Sequence, residues 1–151
     1  QVTGVDLVKL QFAIADGDLD ALPKQDQIKV KGHAIECRIN AEDPENNFMP
    51  SPGEITSFHL PGGIGIRVDT HVYAGYHVPS NYDSMIAKII VNADTREEAI
   101  QRMSGALDEC VIEGIDTTIP LHKQIIKNKD FIKGKFDTNF LNTLIKGENN
   151  E

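Results

Sequence analysis

The chain has 151 residues, enough for one domain with a real core, or for one domain plus a fragment of another. It is 40% hydrophobic and 25% charged, an ordinary balance for a globular protein, and its formal net charge is −8. That charge excludes broad binding to phosphate backbones or anionic membranes, and leaves open only a local basic pocket for a small anion.

No apolar run is long enough to span a bilayer, and there is neither a secretory signal nor an N-x-[ST] sequon. A cytoplasmic location is therefore expected, with no nucleic-acid or membrane partner. The chain begins with Gln1 rather than Met, as expected of a piece of something longer.

Residues 3–17, TGVDLVKLQFAIADG, carry apolar residues mostly at helical spacing, with Gly17 as the stop. A loop or linker comes next in DGDLDALPKQD. Ile28 and Val30 alternate with lysines and read as a short strand. The parity of the apolar positions changes at Gly32, which predicts a turn or bulge there.

The segment 33–41 then alternates cleanly. Ile35, Cys37, Ile39 and Ala41 are apolar, while Glu36, Arg38 and Asn40 fall between them. In a strand those polar side chains project from one face. EITSFHL (54–60) and IGIRVDTHV (64–72), separated by Pro61-Gly62-Gly63, predict a hairpin. SMIAKIIVN (84–92) is the most apolar strand candidate and is expected to be the most buried.

Thr95-Arg96-Glu97-Glu98 is a capping-box sequence, followed by Ile100, Met103, Leu107 and Cys110 or Val111 on one helical face. Gly114 marks the exit region. Pro120 is placed to open another helix, with Leu121, Ile125 and Ile126 apolar, and a last short helix is expected near DTNFLNTLI. Residues 147–151 should fray. Strands cluster in the middle and helices toward the end. That order predicts an α+β fold with a mainly antiparallel sheet and flanking helices.

Arg38 has two readings at this point. It is either one member of a solvated face, paired with Glu36, or a cation fixed on a rigid strand to bind an anion through its planar donors. YAGYHVPSNYDSM (73–85) is either a packed loop with tyrosines over the core edge, or a site loop. In the second case Asp83 orients an arginine or a polar ligand at a strand entrance. The glycines of LPGGIGIR (60–67) fit hairpin geometry and lack the ending of a phosphate loop. The five histidines and two cysteines form no metal-ligand spacing, and no Ser-His-Asp nucleophilic set stands out. Cys37 and Cys110 read as small core residues.

Several strings together resemble the biotin carboxylase family of biotin-dependent carboxylases. They are TGVDLVKLQFAIADG, GHAIECRINAEDPENNFMPSPG, LPGGIGIRVDTHVYAGY and YDSMIAKIIV. Further on, TREEAIQRM.ALDE..I.GI.T and F.TNFL look like the same family in the same order. Within it the chain is most similar to the acetyl-CoA carboxylase branch.

The resemblance implies the C-terminal part of an ATP-grasp enzyme. Residues 1–22 would be the tail of the ATP-grasp domain, 23–148 the C-terminal domain and 149–151 a frayed tail. It implies an ATP-dependent ligase that uses ATP, Mg2+ and bicarbonate to carboxylate biotin on a carrier protein, the first half-reaction of acetyl-CoA carboxylase in fatty acid synthesis. Pyruvate and propionyl-CoA carboxylases carry the same module, and a purely dimerising or docking role is the alternative from another class. The family's MNxRxQVEH motif, expected just before Gln1, is absent, and its base and metal ligands are expected outside these residues. The isolated chain is accordingly expected to be inactive.

By the same resemblance Arg38 matches the arginine that stabilises the biotin oxyanion, and Asp83 matches a position near the biotin pocket. Phe140 matches a hydrophobic position near the adenine of ATP, where an aliphatic residue is usual. Ile64 and Arg67 lie where the family builds a homodimer interface. GIDTTIP departs from the usual GIxTN. The implied partners are the rest of the biotin carboxylase chain, the biotin carboxyl carrier protein and a second copy.

Overall fold

A computed structural model describes residues 1–148. α1 (Leu7–Ala15) is capped by Asp6, whose carboxylate accepts from the backbone N–H of Lys9 at 2.9 Å. It is shorter than the 3–17 pattern suggested, and none of its residues is buried. Residues 28–31 form no strand. Val30 is exposed, and the backbone N–H of Lys31 bonds instead to the carbonyl of Val2. Alternation alone did not make a strand where no layer covers the apolar side chain. Gly32 sits in the left-handed region, with φ 66°. A Cβ there would collide with the carbonyl oxygen of Ala93, so the predicted turn requires glycine.

β1 (His33–Asn40) starts the main sheet. Four short strands come after it: β2 (Glu42–Asp43), β3 (Met49–Pro50), β4 (Gly53–Glu54) and β5 (Ser57–His59). Then come β6 (Ile66–Thr70), β7 (His77–Val78) and β8 (Met85–Ala93). The principal sheet is antiparallel in the order β1-β8-β6. β8 supplies its centre, and Ile86, Ala87, Ile89, Val91 and Ala93 are all buried, as its apolar run predicted.

The expected hairpin between 54–60 and 64–72 does not form. β6 pairs with β8, whereas β5 pairs with β9 (Val111–Glu113). Gly65 explains the divergence. Its carbonyl accepts from the backbone N–H of Asn92, and a Cβ at its φ of 76° would meet the Asn92 carbonyl oxygen at 2.6 Å. The glycine-rich turn therefore delivers β6 to β8 instead of folding it back on β5.

α2 (Arg96–Glu109) covers the inner face of the sheet. The Thr95 hydroxyl accepts from the backbone N–H of Glu98 at 3.2 Å, and Glu97 and Glu98 sit favourably in the first turn. Its buried stripe is Ala99, Ile100, Met103, Ala106 and Leu107, which packs on β8 and β1. Each large aliphatic side chain buried here contributes roughly 1.5–3 kcal/mol. The helix stops at Glu109, earlier than the apolar pattern suggested, because residues 111–113 leave as β9.

Cys37 and Cys110 are free and buried. Burial, with Glu36 adding to it, pushes the Cys37 thiol up to about 12. Burial pushes Cys110 up to about 11 against the opposing effect of Lys123. Both are inert core residues at neutral pH.

α3 (Ile119–Lys127) has Pro120 in its first turn and packs on α2. α4 (Lys129–Ile132) and α5 (Phe140–Glu148) complete the fold. Residues 147 and 148, expected to fray, belong to α5, and the tail over 149–151 lies outside the described residues. The result is the expected α+β class with antiparallel pairing throughout.

Candidate active site

The pairing register decides what the outer face of the sheet presents. Arg38 lies opposite Lys88, and Lys88 lies opposite Asp69 on the far strand. Side chains directly opposite share a face. Arg38, Lys88 and Asp69 therefore make a row across three strands, on the side away from α2. The next row is Glu36, Ile90 and Arg67. Asp69 is already committed, because its carboxylate takes two bonds from the Arg67 guanidinium, both 2.8 Å.

Arg38 is exposed, and among the described residues its guanidinium takes no hydrogen-bond or ion-pair partner. The pairing with Glu36 does not form. What is fixed is its backbone. The Arg38 carbonyl accepts from the Thr118 hydroxyl at 3.1 Å and from His122 Nε2 at 2.8 Å. A bulge comes next, at Ile39/Asn40.

Asn40 turns into a polar network at the same end of the sheet. Its Nδ2 donates to Glu42 Oε1 at 3.3 Å, and the Ser84 hydroxyl donates to that same oxygen. Asn40 Oδ1 is buried and has no partner among the described residues. Asp83 is exposed just before β8, and its Oδ1 accepts from the backbone N–H of Met85 at 2.8 Å, shaping the strand entrance. Met85 lies opposite Asn40, so Asp83 and Asn40 come to the same edge of the sheet.

Two adjoining depressions open there. One, about 390 Å3, is lined by His71, Tyr76, Tyr82 and Asp83. The other, about 240 Å3, is lined by Asp69, His71 and Lys88. Arg38 lines neither, but its cross-strand neighbour Lys88 does. The larger hollow of about 610 Å3 lies elsewhere, between residues 43–45 and α3. Of its carboxylates, Asp43 and Asp116 are engaged in local bonds, to Glu45 and Asn46 and to Ser51, and Glu45 is exposed.

Phe140 lies in a different place. It packs against Phe131 and Phe136, with ring centroids 6.5 and 6.0 Å away. The Arg96 guanidinium sits 5.0 Å from the Phe131 ring centre and donates to the Phe131 carbonyl at 2.5 Å. Ile64 stands out at 93% exposure on the turn before β6.

Sequence reasoning missed Thr118, His122, Glu42 and Ser84. The only signal was the unusual threonine of GIDTTIP, and the histidine carries no metal-ligand spacing or other pattern that marks it. Among the described residues no group of three or more His, Cys, Asp and Glu side chains comes together to hold a metal ion. No described helix is long and apolar enough to cross a membrane.

The module is antiparallel and presents an exposed arginine, unpartnered among the described residues, on a strand whose free edge is bonded from α3. Residues 36–143 match the family model described as the biotin carboxylase C-terminal domain, and the chain belongs to that family. The chain is 58% identical to the biotin carboxylase of Haemophilus influenzae over 93% of its length, covering 31% of that protein. It is 51% identical to a pyruvate carboxylase subunit of Methanothermobacter thermautotrophicus, covering 97% of this chain and 30% of that one.

Among solved structures, the biotin carboxylase domain dimer of Hydrogenobacter thermophilus 2-oxoglutarate carboxylase superposes with a TM-score of 0.90 at 49% identity. It covers 93% of this chain and 31% of that one, and holds MgADP, ADP and bicarbonate. The chain thus spans about a third of the length of the relatives it matches.

Burial lowers the pKa of His122 from its ordinary 6.5, and the bond to the Arg38 carbonyl only partly opposes that. The folded state therefore prefers the neutral ring. As pH falls below about 6.5 the unfolded chain takes up the proton first, and this contribution to stability is lost. His122→Gln keeps a side-chain donor without the titration. Urea unfolding between pH 8 and pH 5 should show a shallower loss of stability on the acid side for the variant. Identical slopes would remove His122 from the account.

Proposed function

We propose that the chain supplies the C-terminal domain of a biotin carboxylase, an ATP-dependent ligase that carboxylates biotin on a carrier protein with bicarbonate. Residues 1–22 are assigned to the tail of the ATP-grasp domain and 23–148 to the C-terminal domain. No residue of α1 is buried, and Leu7, Val8 and Phe12 are exposed, which supports an origin in a different packing unit. ATP, Mg2+ and biotin are assigned to the intact parent, with the metal ligands outside these residues.

The observation that carries the reading is the Arg38 guanidinium, free of internal partners among the described residues, on a strand whose backbone is clamped from the side. When the ureido ring of biotin loses its proton, negative charge collects on the ring oxygen. A guanidinium presented at that oxygen stabilises the charge through charge-assisted hydrogen bonds. Asp83 and the polar edge around Asn40 are assigned to orienting the ring. Phe140 is assigned to the adenine side, and the rigid Phe131–Phe136 backing supports a fixed apolar wall there.

In the full-length parent, Arg38→Ala should reduce biotin carboxylation about a hundredfold, on the order of 3 kcal/mol, while ATP binding changes little. Equal loss of both would defeat the assignment.

The isolated chain should not cleave ATP in the presence of free biotin and bicarbonate, because the γ-phosphate and metal contacts are assigned to other domains. A phosphate-release assay showing steady turnover by the isolated chain would overturn that.

We further place the parent in the cytoplasm, in acetyl-CoA carboxylase, at the start of fatty acid synthesis, on the strength of its sequence resemblance. The 51% identity to a pyruvate carboxylase subunit supports the same module serving pyruvate. The acceptor is chosen in a later step, so both readings share the chemistry at Arg38.

The parent is also assigned as a homodimer through the Ile64 and Arg67 region. An isoleucine exposed at 93% beside an ion-paired arginine is a surface that a two-fold partner would cover. Ile64→Asp should shift the sedimenting species of the parent toward monomer, and an unchanged dimer would move the interface elsewhere.

A further inference from the structure

β1 is an edge strand, since the sheet order leaves only one of its sides paired with β8. The other edge is closed by two side chains from the start of α3. The Thr118 hydroxyl accepts from the Asn40 backbone N–H at 3.0 Å and donates to the Arg38 carbonyl at 3.1 Å. One donor and one acceptor role is what a hydroxyl can satisfy at once. The Thr118 backbone N–H also donates to the Asn40 carbonyl at 3.1 Å. His122, one helical turn on, donates from Nε2 to the same Arg38 carbonyl. A carbonyl carries no proton, so the hydrogen in that bond lies on Nε2.

These bonds bracket the bulge between Ile39 and Asn40, the point at which the strand is re-aimed. Thr118 is buried and His122 partly so, and both bond to the Arg38 carbonyl, not to its guanidinium. They act on backbone, from the side.

We propose that Thr118 and His122 are positioning residues. They set the direction of the Arg38 guanidinium by clamping its carbonyl and the bulge after it, and so fix its aim at the biotin oxygen. This rests on the proposed role of Arg38 in biotin carboxylation. The guanidinium has no side-chain partner of its own among the described residues, so its aim depends on where the backbone holds its Cα and on the rotamer that backbone allows. A catalytic group displaced by about an ångström loses much of its effect even when every atom of it is present.

The test uses the full-length parent. Thr118→Val keeps the shape and removes the hydroxyl, and His122→Leu removes the ring donor. Each should lower kcat for biotin carboxylation roughly tenfold, with the KM for biotin moved less than about twofold and ATP binding unchanged. His122→Gln, which keeps an N–H donor, should recover most of the rate. On an Arg38→Ala background neither Thr118→Val nor His122→Leu should cost anything further, since both act through that guanidinium.

Equal loss of ATP binding and carboxylation in both variants, no recovery with glutamine, or full additivity on the Arg38→Ala background would overturn the proposal. If Arg38→Ala itself leaves carboxylation intact, the role of Arg38 falls and the positioning roles fall with it. If Arg38→Ala is crippled but the α3 variants are not, only the positioning roles fall.

Discussion

The fold depends on the two-sidedness of β8. Its inner side chains, Ile89 and Val91 among them, are sealed beneath α2, and its outer ones stand in water or line a shallow depression. Side chains in a strand alternate strictly, so burying Cys37 and Ile39 of β1 on the α2 side forces Glu36 and Arg38 to the other. A one-residue slip would turn the Arg38 guanidinium into the apolar core beneath α2. An unpaired charge in that setting costs several kcal/mol, comparable to the whole stability of a small domain. The apolar core thereby fixes the face on which the arginine stands, and no polar contact of the arginine is needed to do so.

A face is not yet an aim. Sheet pairing holds β1 on one side only, and an edge strand with a bulge is the most deformable part of such a sheet. The start of α3 supplies the second constraint. Thr118 and His122 come from a helix that is itself packed on α2, which is packed on β8. The clamp on Arg38 therefore closes a loop of contacts through the core. The Arg38 backbone is tied on both sides, while its guanidinium is unengaged among the described residues and so open to a new charge. An arginine already tied to Glu36 would have to break that pair before meeting a new charge.

The parts of this arrangement that were legible in the sequence are the local ones. The 33–41 alternation, the Thr95 cap, the Pro120 helix start and the apolar run of β8 each write their structure within a few residues. The partners of the strands were not legible in the same way. A glycine-rich turn after residue 60 looks like a hairpin from sequence, but whether Gly65 lets β6 reach Asn92 is a matter of close backbone approach. The clamp was also hidden, because Thr118 lies 78 residues from Asn40 and His122 lies 84 from Arg38. No short-range pattern marks a hydroxyl that will bond to another strand's edge. Arg38 itself was ambiguous by residue pattern, and only the resemblance of ECRINAEDP to a family gave it a role.

The first helix obeys a different logic from the rest. Every buried apolar side chain among the described residues falls between Cys37 and Ile126, and α1 contributes none. A nine-residue helix is marginal in water without a surface to cover its apolar side. Leu7, Val8 and Phe12, all exposed, give α1 such a side, and Leu19 and Val30 extend the uncovered surface beyond it. The core under β8 closes without any of them. Burial thus divides the chain near its linker more sharply than secondary structure does. The buried core among the described residues lies wholly after the linker, while the apolar side chains of α1 stand outside it.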